Sequence, residues 1–181
     1  MIFFAPYKNK ADADLVALIL KGDRGAFREI LTRYQNAVYG FAFSILKDAQ
    51  EAEDISQEVF LRLYRTADTY RSFAALQTYL FRIARNLCID HLRKMRPETM
   101  PDPPEAVGAK TPLSQLCSAE LKKQIDLILS GLPENQRAAL YLRHEQGMSY
   151  SEIAETLGVT LHAVESLLAR ARREFRSRFK F

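Results

Sequence analysis

The chain has 181 residues, 48% of them hydrophobic, and a formal net charge of +4 with an isoelectric point of about 9.1. Seven Gly and seven Pro are too few for a disordered chain, and abundant Leu, Ala, Arg and Glu favour an all-α fold of one or two domains. Two cysteines exclude a disulfide framework, and no apolar run suits a signal peptide or a membrane span. We expect a soluble, cytoplasmic protein with no membrane contact.

The first predicted elements are a short amphipathic helix over residues 12–21 and a long helix after the Gly22-Asp23 break. Apolar residues of the long helix recur at steps of three and four, which is the spacing of one buried helical face. We interpret its aromatic residues as core rather than as a binding surface. The stripe consists of Phe27, Ile30, Leu31, Tyr34, Val38, Phe41 and Ile45.

A third helix is predicted from about residue 50 to 65, with Ile55, Val59 and Leu63 as its buried stripe. An acidic face with an exposed leucine lies on the other side, and such a face suits a basic partner helix. A merely solubilising surface is the alternative that the pattern leaves open. The face consists of Asp54, Gln57, Glu58 and Leu61.

A short loop over residues 66–75 leads into a helix predicted from about 75 to 95, and both mix aromatic and cationic residues. Aromatic rings stack on unpaired bases while guanidinium groups bind phosphate, so the mixture is typical of single-stranded nucleic-acid binding. Buried aromatics with solvated cations remain the alternative. The loop contributes Tyr70, Arg71 and Phe73, and the helix shows Gln77, Arg82, Arg85, Asn86, Arg93 and Lys94 beside a stripe of Leu76, Leu80, Ile83 and Leu87.

Residues 97–112 hold five of the seven prolines and no apolar periodicity, which indicates a linker. We therefore predict an N-terminal helical domain over residues 1–96. A C-terminal domain over 113–181 follows, and its first helix is expected near Leu113 to Ser130.

The segment from residue 132 to 178 predicts a helix-turn-helix. Its helix boundaries are indicated by a proline expected at a first helical position, two glycine stops and two hydroxyl N-caps, one of which has a glutamate three residues on for a capping box. These residues are Pro133, Gly147, Ser149, Glu152, Gly158 and Thr160.

The last predicted helix, from Thr160 to about Arg178, has an apolar and a cationic face. The cationic face suits a helix lying in the major groove, where the surplus of Lys and Arg would release counterions from DNA. A solvated basic helix at the end of a bundle is the alternative. The apolar face holds Leu161, Val164, Leu167, Leu168, Ala171 and Phe175, and the open face holds His162, Ser166, Ala169, Arg170 and Arg173.

Other chemistry finds little support in the sequence. Cys88 and His91 lie three residues apart on one helix, but two ligands fall short of a zinc site. No P-loop, dinucleotide-binding, zinc-protease or nucleophile-elbow motif occurs. We therefore predict no metal, no cofactor and no catalytic activity.

The ordered set of segments resembles the small two-domain sigma factors of the extracytoplasmic-function type, over about residues 12–178. The motifs that carry the resemblance are DAQEAEDISQEVFLRLYR, TYLFRIARNLCIDHLRK and LPENQRAALYLRHEQGMSYSEIAETLGV with the helix that follows it. The resemblance implies a promoter-specificity subunit that docks on RNA polymerase core, at the clamp and flap, and reads the −10 and −35 promoter elements.

The resemblance also implies a role for each face. Asp54, Gln57, Glu58 and Leu61 match the surface that docks on the clamp coiled coil of the largest polymerase subunit. Asn86 matches a −10 contact, with Arg82 and Arg85 on the same helix, and the loop that holds Tyr70, Arg71 and Phe73 matches one that captures a flipped −10 base. Ser166, Ala169 and Arg170 match −35 reading positions, between His162 and Arg173.

Some residues depart from the family pattern. Tyr79 stands where Trp is common, and its hydroxyl requires a partner. Phe73 stands at a loop position that is usually polar, so the base preference of the loop does not follow by analogy. Glu165 and Leu167 stand where Lys and Arg are common, so the −35 sequence does not follow either.

The resemblance implies an anti-sigma partner for a stress-responsive chain that is otherwise monomeric. A helix-turn-helix regulator that binds DNA without polymerase, and an enzyme with an accessory DNA module, are the alternatives.

Overall fold

A computed structural model describes residues 7–66, 75–95 and 124–179. Within these three ranges the regular structure is helical and contains no strand, which confirms the all-α prediction. Residues 124–130 are also helical and precede α5. The helices are α1 (Asp12–Ile19), α2 (Arg24–Leu46), α3 (Ala49–Thr66), α4 (Leu76–Met95), α5 (Glu134–His144), α6 (Tyr150–Leu157) and α7 (Leu161–Arg178).

The N-terminal domain is built around α2, against which α1, α3 and α4 all pack. Asp23 begins α2 by accepting hydrogen bonds from the backbone N–H groups of Gly25 (2.8 Å) and Ala26 (3.1 Å), and these bonds hold its pKa below the ordinary value. The left-handed Lys47 (φ 60°) ends the helix at the predicted break. The central helix is therefore fixed at both ends by local sequence.

The C-terminal domain contains the predicted helix-turn-helix as α6 and α7, which pack on each other and on α5. Ser149 and Glu152 form the capping box, with the Ser149 N–H donating to the Glu152 carboxylate over 2.7 Å. Gly158 ends α6 in the left-handed conformation (φ 61°), and Thr160 caps α7 through the Ala163 N–H. The N-caps and the glycine helix end predicted from the sequence are confirmed in this segment.

Two details of the C-terminal domain correct the sequence reading. Pro133 is the N-cap of α5 rather than its first helical residue, so the helix begins one position later at Glu134. Leu161, assigned to the buried face, is 50% exposed because it opens α7 at the edge of the packed surface. The buried residues of α7 are Val164, Leu168 and Ala171.

Other predictions fall on residues that are not described. The linker over 97–112, the helix start near Leu113 and the loop residues Tyr70, Arg71 and Phe73 lie outside the described ranges. The domain limits given above therefore stay predictions.

The two domains share one continuous apolar core in which α2 packs against α5 and α4 packs against α6. Phe41 of α2 lies at the centre, fully buried, with its ring 5.1 Å from that of Phe81 on α4 and 5.9 Å from that of Tyr141 on α5. Phe41 thus contacts α4 within its own domain and α5 across the domain junction.

None of the helices in the described ranges is long and apolar enough to cross a lipid bilayer.

Candidate functional site

The acidic face of α3 is open to solvent. Asp54, Gln57 and Leu61 are exposed, the last by 48%, and Glu58 is half-buried at the edge of the same face. Glu58 accepts from Arg62 one turn on, over 3.0 Å. The helix therefore presents carboxylates around an accessible leucine, as a docking surface requires.

Sequence reasoning missed a further apolar residue on this surface. Tyr64 is 48% exposed and lies one turn beyond Leu61, while its ring meets that of Phe27 edge-on at 5.2 Å. The signal was available, because Tyr64 follows Leu61 by three residues and Gln57 by seven on one helical stripe. The exposed surface of α3 thus includes a second apolar side chain beside the four predicted residues.

The polar side of α4 holds the predicted −10 residues in two different environments. Arg82 and Asn86 are exposed, whereas Arg85 is half-buried and its Nε is buried with no hydrogen-bond partner among the described residues. An unpaired buried donor of this kind costs about 1–3 kcal/mol. Arg85 therefore keeps one buried N–H without a partner among the described residues.

The C-terminal domain covers part of this side of α4. The Gln77 amide donates to Gln146 over 3.1 Å, and Arg82 lies 3.8 Å from the Glu155 carboxylate. Gly158, at the end of α6, faces the Arg85 guanidinium: a Cβ built there would lie 3.9 Å from Nη1. The helix expected to contact the −10 strand thus packs against the helix-turn-helix.

The domain junction is held from the other side by Arg137 of α5. Its guanidinium donates to the carbonyls of Ser44 (2.7 Å) and Ile45 (2.8 Å) in the last turn of α2. It also donates to the carbonyls of Ser130 and Leu132 in its own domain, while burial lowers its pKa. One cation thereby satisfies helix-end carbonyls of α2 that have no intrahelical partner.

Tyr141, one turn further along α5, completes this junction. Its hydroxyl donates to the Ala37 carbonyl over 2.9 Å, and burial raises its pKa to about 12. The ring lies against Gly40, where no side chain intervenes. Sequence reasoning missed this junction, although an isolated glycine inside a long helix signals close packing.

A groove of about 770 Å³ opens beside this junction, between α2, α5 and α7. Aromatic residues of both domains line it together with several cations. Burial lowers the pKa of Lys47 at its edge, and the Arg137 charge lowers it further. The groove exists only while the two domains are together, because each contributes part of its wall.

The open face of α7 agrees with the sequence reading. His162, Ala169, Arg170 and Arg173 are exposed, and Ser166 is half-buried. His162 lies 3.5 Å from Glu165, which therefore remains on the same exposed side. Arg170 and Arg173 form no ion pair with any residue in the described ranges, so both guanidinium groups are open to solvent. The structure brings the five predicted residues together on one face.

Two further residues singled out in the sequence, Tyr79 and Cys88, lie in defined environments. The Tyr79 hydroxyl has the partner it was expected to need, because it lies 3.1 Å from the Thr66 hydroxyl. Cys88 is buried, and burial raises its pKa to about 12, so the thiolate that a metal would need is disfavoured. Within the described ranges, no group of three or more potential metal ligands occurs.

The fold and these three faces define a two-domain helical protein with a helix-turn-helix. The model of sigma-70 region 2 matches residues 30–97, and that of sigma-70 region 4 matches residues 122–175, together more than half of the chain. The RNA polymerase sigma-H factor of Pseudomonas aeruginosa is 33% identical over 91% of each chain. The chain belongs to the extracytoplasmic-function sigma factors.

Further relatives agree. The sigma factor SigW of Bacillus subtilis is 30% identical, over 90% of this chain and 93% of its own. The sigma-E factor of Escherichia coli is 31% identical, over 89% and 90%.

Solved structures have the same fold. CnrH in complex with the cytosolic domain of CnrY has a TM-score of 0.68 at 24% identity, covering 93% of this chain and 96% of that one. RpoE of Bartonella quintana, in complex with the anti-sigma factor NepR, has a TM-score of 0.62 at 24% identity, covering 84% and 95%.

Proposed function

We propose that this chain directs RNA polymerase core to specific promoters, with a separate role for each of three helices. The observation that carries the proposal is the open cationic face of α7 within the segment that matches sigma-70 region 4. A cationic helix at the second position of a helix-turn-helix suits the major groove.

The acidic face of α3 is the proposed docking surface for polymerase. Its exposed carboxylates complement a basic partner helix, and Leu61 with Tyr64 supplies apolar contact area. The partner is the clamp coiled coil of the largest subunit, with the flap as a second contact for the C-terminal domain.

The polar side of α4 is the proposed −10 surface. Arg82, Arg85 and Asn86 offer donors to phosphate and base edges, and the preceding loop with Tyr70, Arg71 and Phe73 would hold an extruded base. Binding the unpaired strand offsets the unpairing cost of a few kcal/mol, so the chain favours melting without covalent chemistry.

The open face of α7 is the proposed −35 surface. Ser166, Ala169 and Arg170 would face base edges. His162 and Arg173 lie at the two ends of this face along the helix, toward phosphates. Glu165 repels phosphate, or accepts from a cytosine amino group if it faces the bases.

We also propose regulation by an anti-sigma factor. The support is that RpoE, whose fold this chain shares, was solved in complex with one. Such a partner would cover the docking and DNA surfaces until a signal releases it.

Run-off transcription tests the function. Core polymerase with this chain should initiate at discrete sites on fragmented genomic DNA, and sequencing the transcripts would define the promoter. If the chain bound an operator duplex without polymerase in a gel-shift assay, and yielded no new start sites with core polymerase, it would instead be an independent regulator.

A further inference from the structure

We propose that the groove between α2, α5 and α7 binds an amphipathic anion, a small molecule with an extended apolar body and a single carboxylate head, of which a fatty acid is the simplest kind. None of the residues assigned to the polymerase-docking, −10 or −35 surfaces lines this groove among the described residues. The proposal therefore goes beyond promoter recognition and does not depend on it.

The size and wall of the groove suit the apolar body. Its volume of about 770 Å³ lies within the range of about 300–1,000 Å³ that is usual for small-molecule sites. Phe43 is 38% exposed, and its ring stacks on that of Tyr39 at 6.2 Å. A ligand that covered this ring would remove apolar surface from water, which favours binding. The apolar part of the wall consists of Phe43, Leu140, Tyr141 and Phe175.

Lys47 is the residue that would select a negatively charged head. Its side chain lines the groove, with the ammonium 5.8 Å from the centre of the Phe43 ring, and it forms no ion pair with any described residue. Burial lowers the pKa of Lys47, and the Arg137 charge lowers it further, while Asp126 opposes them. A carboxylate beside this ammonium would supply the counter-charge that a partly desolvated cation lacks.

The other charged residues of the groove favour a head with one negative charge. Arg137 is not available to a ligand, because its guanidinium already donates to four backbone carbonyls. Arg172 and Arg176 of α7 line the groove and form no ion pair within the part of the chain that the structure describes. The two carboxylates of the wall, on Asp126 and Glu145, would repel a dianion more strongly than a monoanion.

The experiment titrates the full-length protein with dodecanoate, kept below the concentration at which it forms micelles, in an isothermal titration calorimeter. We expect one saturable site on the wild type. Lys47→Gln removes the positive charge but keeps an unbranched polar side chain at the position that ends α2. It should weaken binding by about tenfold or more, as the loss of a charge-assisted hydrogen bond does.

The matched control is Lys21→Gln, which makes the same change at an exposed position just beyond α1 and should leave the affinity unchanged. Circular dichroism of both variants checks that the helices remain. Two further probes have the same chain with a different head, namely dodecyltrimethylammonium and dodecyl phosphate. Both should bind more weakly than dodecanoate, the first because of its positive charge and the second because it is largely dianionic.

If the wild type showed no saturable binding of dodecanoate, or bound dodecyltrimethylammonium equally well, there would be no anion site in the groove. Equal affinities of the wild type and Lys47→Gln, or equal losses in the two lysine variants, would overturn the placement of the head at Lys47. Tighter binding of dodecyl phosphate would overturn the choice of a carboxylate.

Discussion

At the residue scale, the acidic face of α3 gives a direct test of polymerase docking. Glu58→Lys reverses a charge beside the exposed Leu61, and a basic partner should then bind roughly tenfold more weakly, which is about 1.4 kcal/mol. The lost ion pair with Arg62 is exposed and contributes under about 1 kcal/mol, so folding should persist. Biolayer interferometry with immobilised core polymerase measures the change.

The matched control is Asp14→Lys, which makes the same charge change at an exposed position of α1. If both variants lose affinity equally, the effect is one of net charge and α3 is not the docking surface. Circular dichroism of both variants checks that the helices remain.

A second residue-scale prediction separates base reading from phosphate binding on α7. Arg170→Ala should weaken binding to the selected −35 duplex by about 1–3 kcal/mol and relax preference at one base pair. Arg173→Ala should weaken all duplexes alike and reduce the salt slope by about one. Affinity titrations over a range of salt concentrations measure both. Identical behaviour of the two variants would show that Arg170 binds phosphate alone.

At the scale of the element, the capping box makes α6 sensitive to pH. The Ser149 side chain and backbone N–H both donate to Glu152 and lower its pKa. A lowered pKa favours the folded chain at neutral pH, and this stabilisation is lost as the pH falls through the ordinary and then the native pKa of the carboxyl. Ser149→Ala should therefore cost about 1 kcal/mol at neutral pH.

The melting temperature measured against pH tests this linkage. The difference in melting temperature between wild type and Ser149→Ala should narrow as the pH falls below the ordinary glutamate pKa of about 4.3 and toward the lowered pKa of Glu152 in the folded chain. Ser177→Ala removes a hydroxyl near the exposed end of α7 and serves as the control. A difference in melting temperature that stayed constant with pH would show that the lost stability comes from the Ser149 hydroxyl itself and not from the charge of Glu152.

The same element shows why some structure follows from sequence. Ser149, Gly158 and Thr160 form their bonds with backbone groups close by in the chain, so the ends of α6 and α7 can be predicted from local sequence rules. Leu161 was misassigned because periodicity gives the side of a helix but not where the neighbouring helix ends. Tyr64 was left out of the docking face, although its spacing of three residues from Leu61 places it on the same side of α3.

At the scale of the whole molecule, the sequence predicts far less of the structure, because the contacts between the domains are not local. The contacts of Arg137 with Ser44 and of Tyr141 with Ala37 join positions that are 93 and 104 residues apart. No local rule pairs an arginine with a distant helix end, because any exposed helix end would suit it. Only Gly40, unexpected inside a long helix, marks the site of contact.

The shared core predicts how the whole molecule unfolds. Because Phe41 packs against α4 and α5 together, the wild type should melt in one cooperative transition, with equal calorimetric and van't Hoff enthalpies. Gly40→Ala should split this into two transitions, because its methyl group would overlap the Tyr141 hydroxyl and separate the domains, while alanine stabilises α2 by about 1 kcal/mol. Differential scanning calorimetry measures the transitions, and the control Thr32→Ala, at an exposed position elsewhere on α2, should keep one transition. A single, higher melting transition for Gly40→Ala would show that Tyr141 moves aside and that the domains stay coupled.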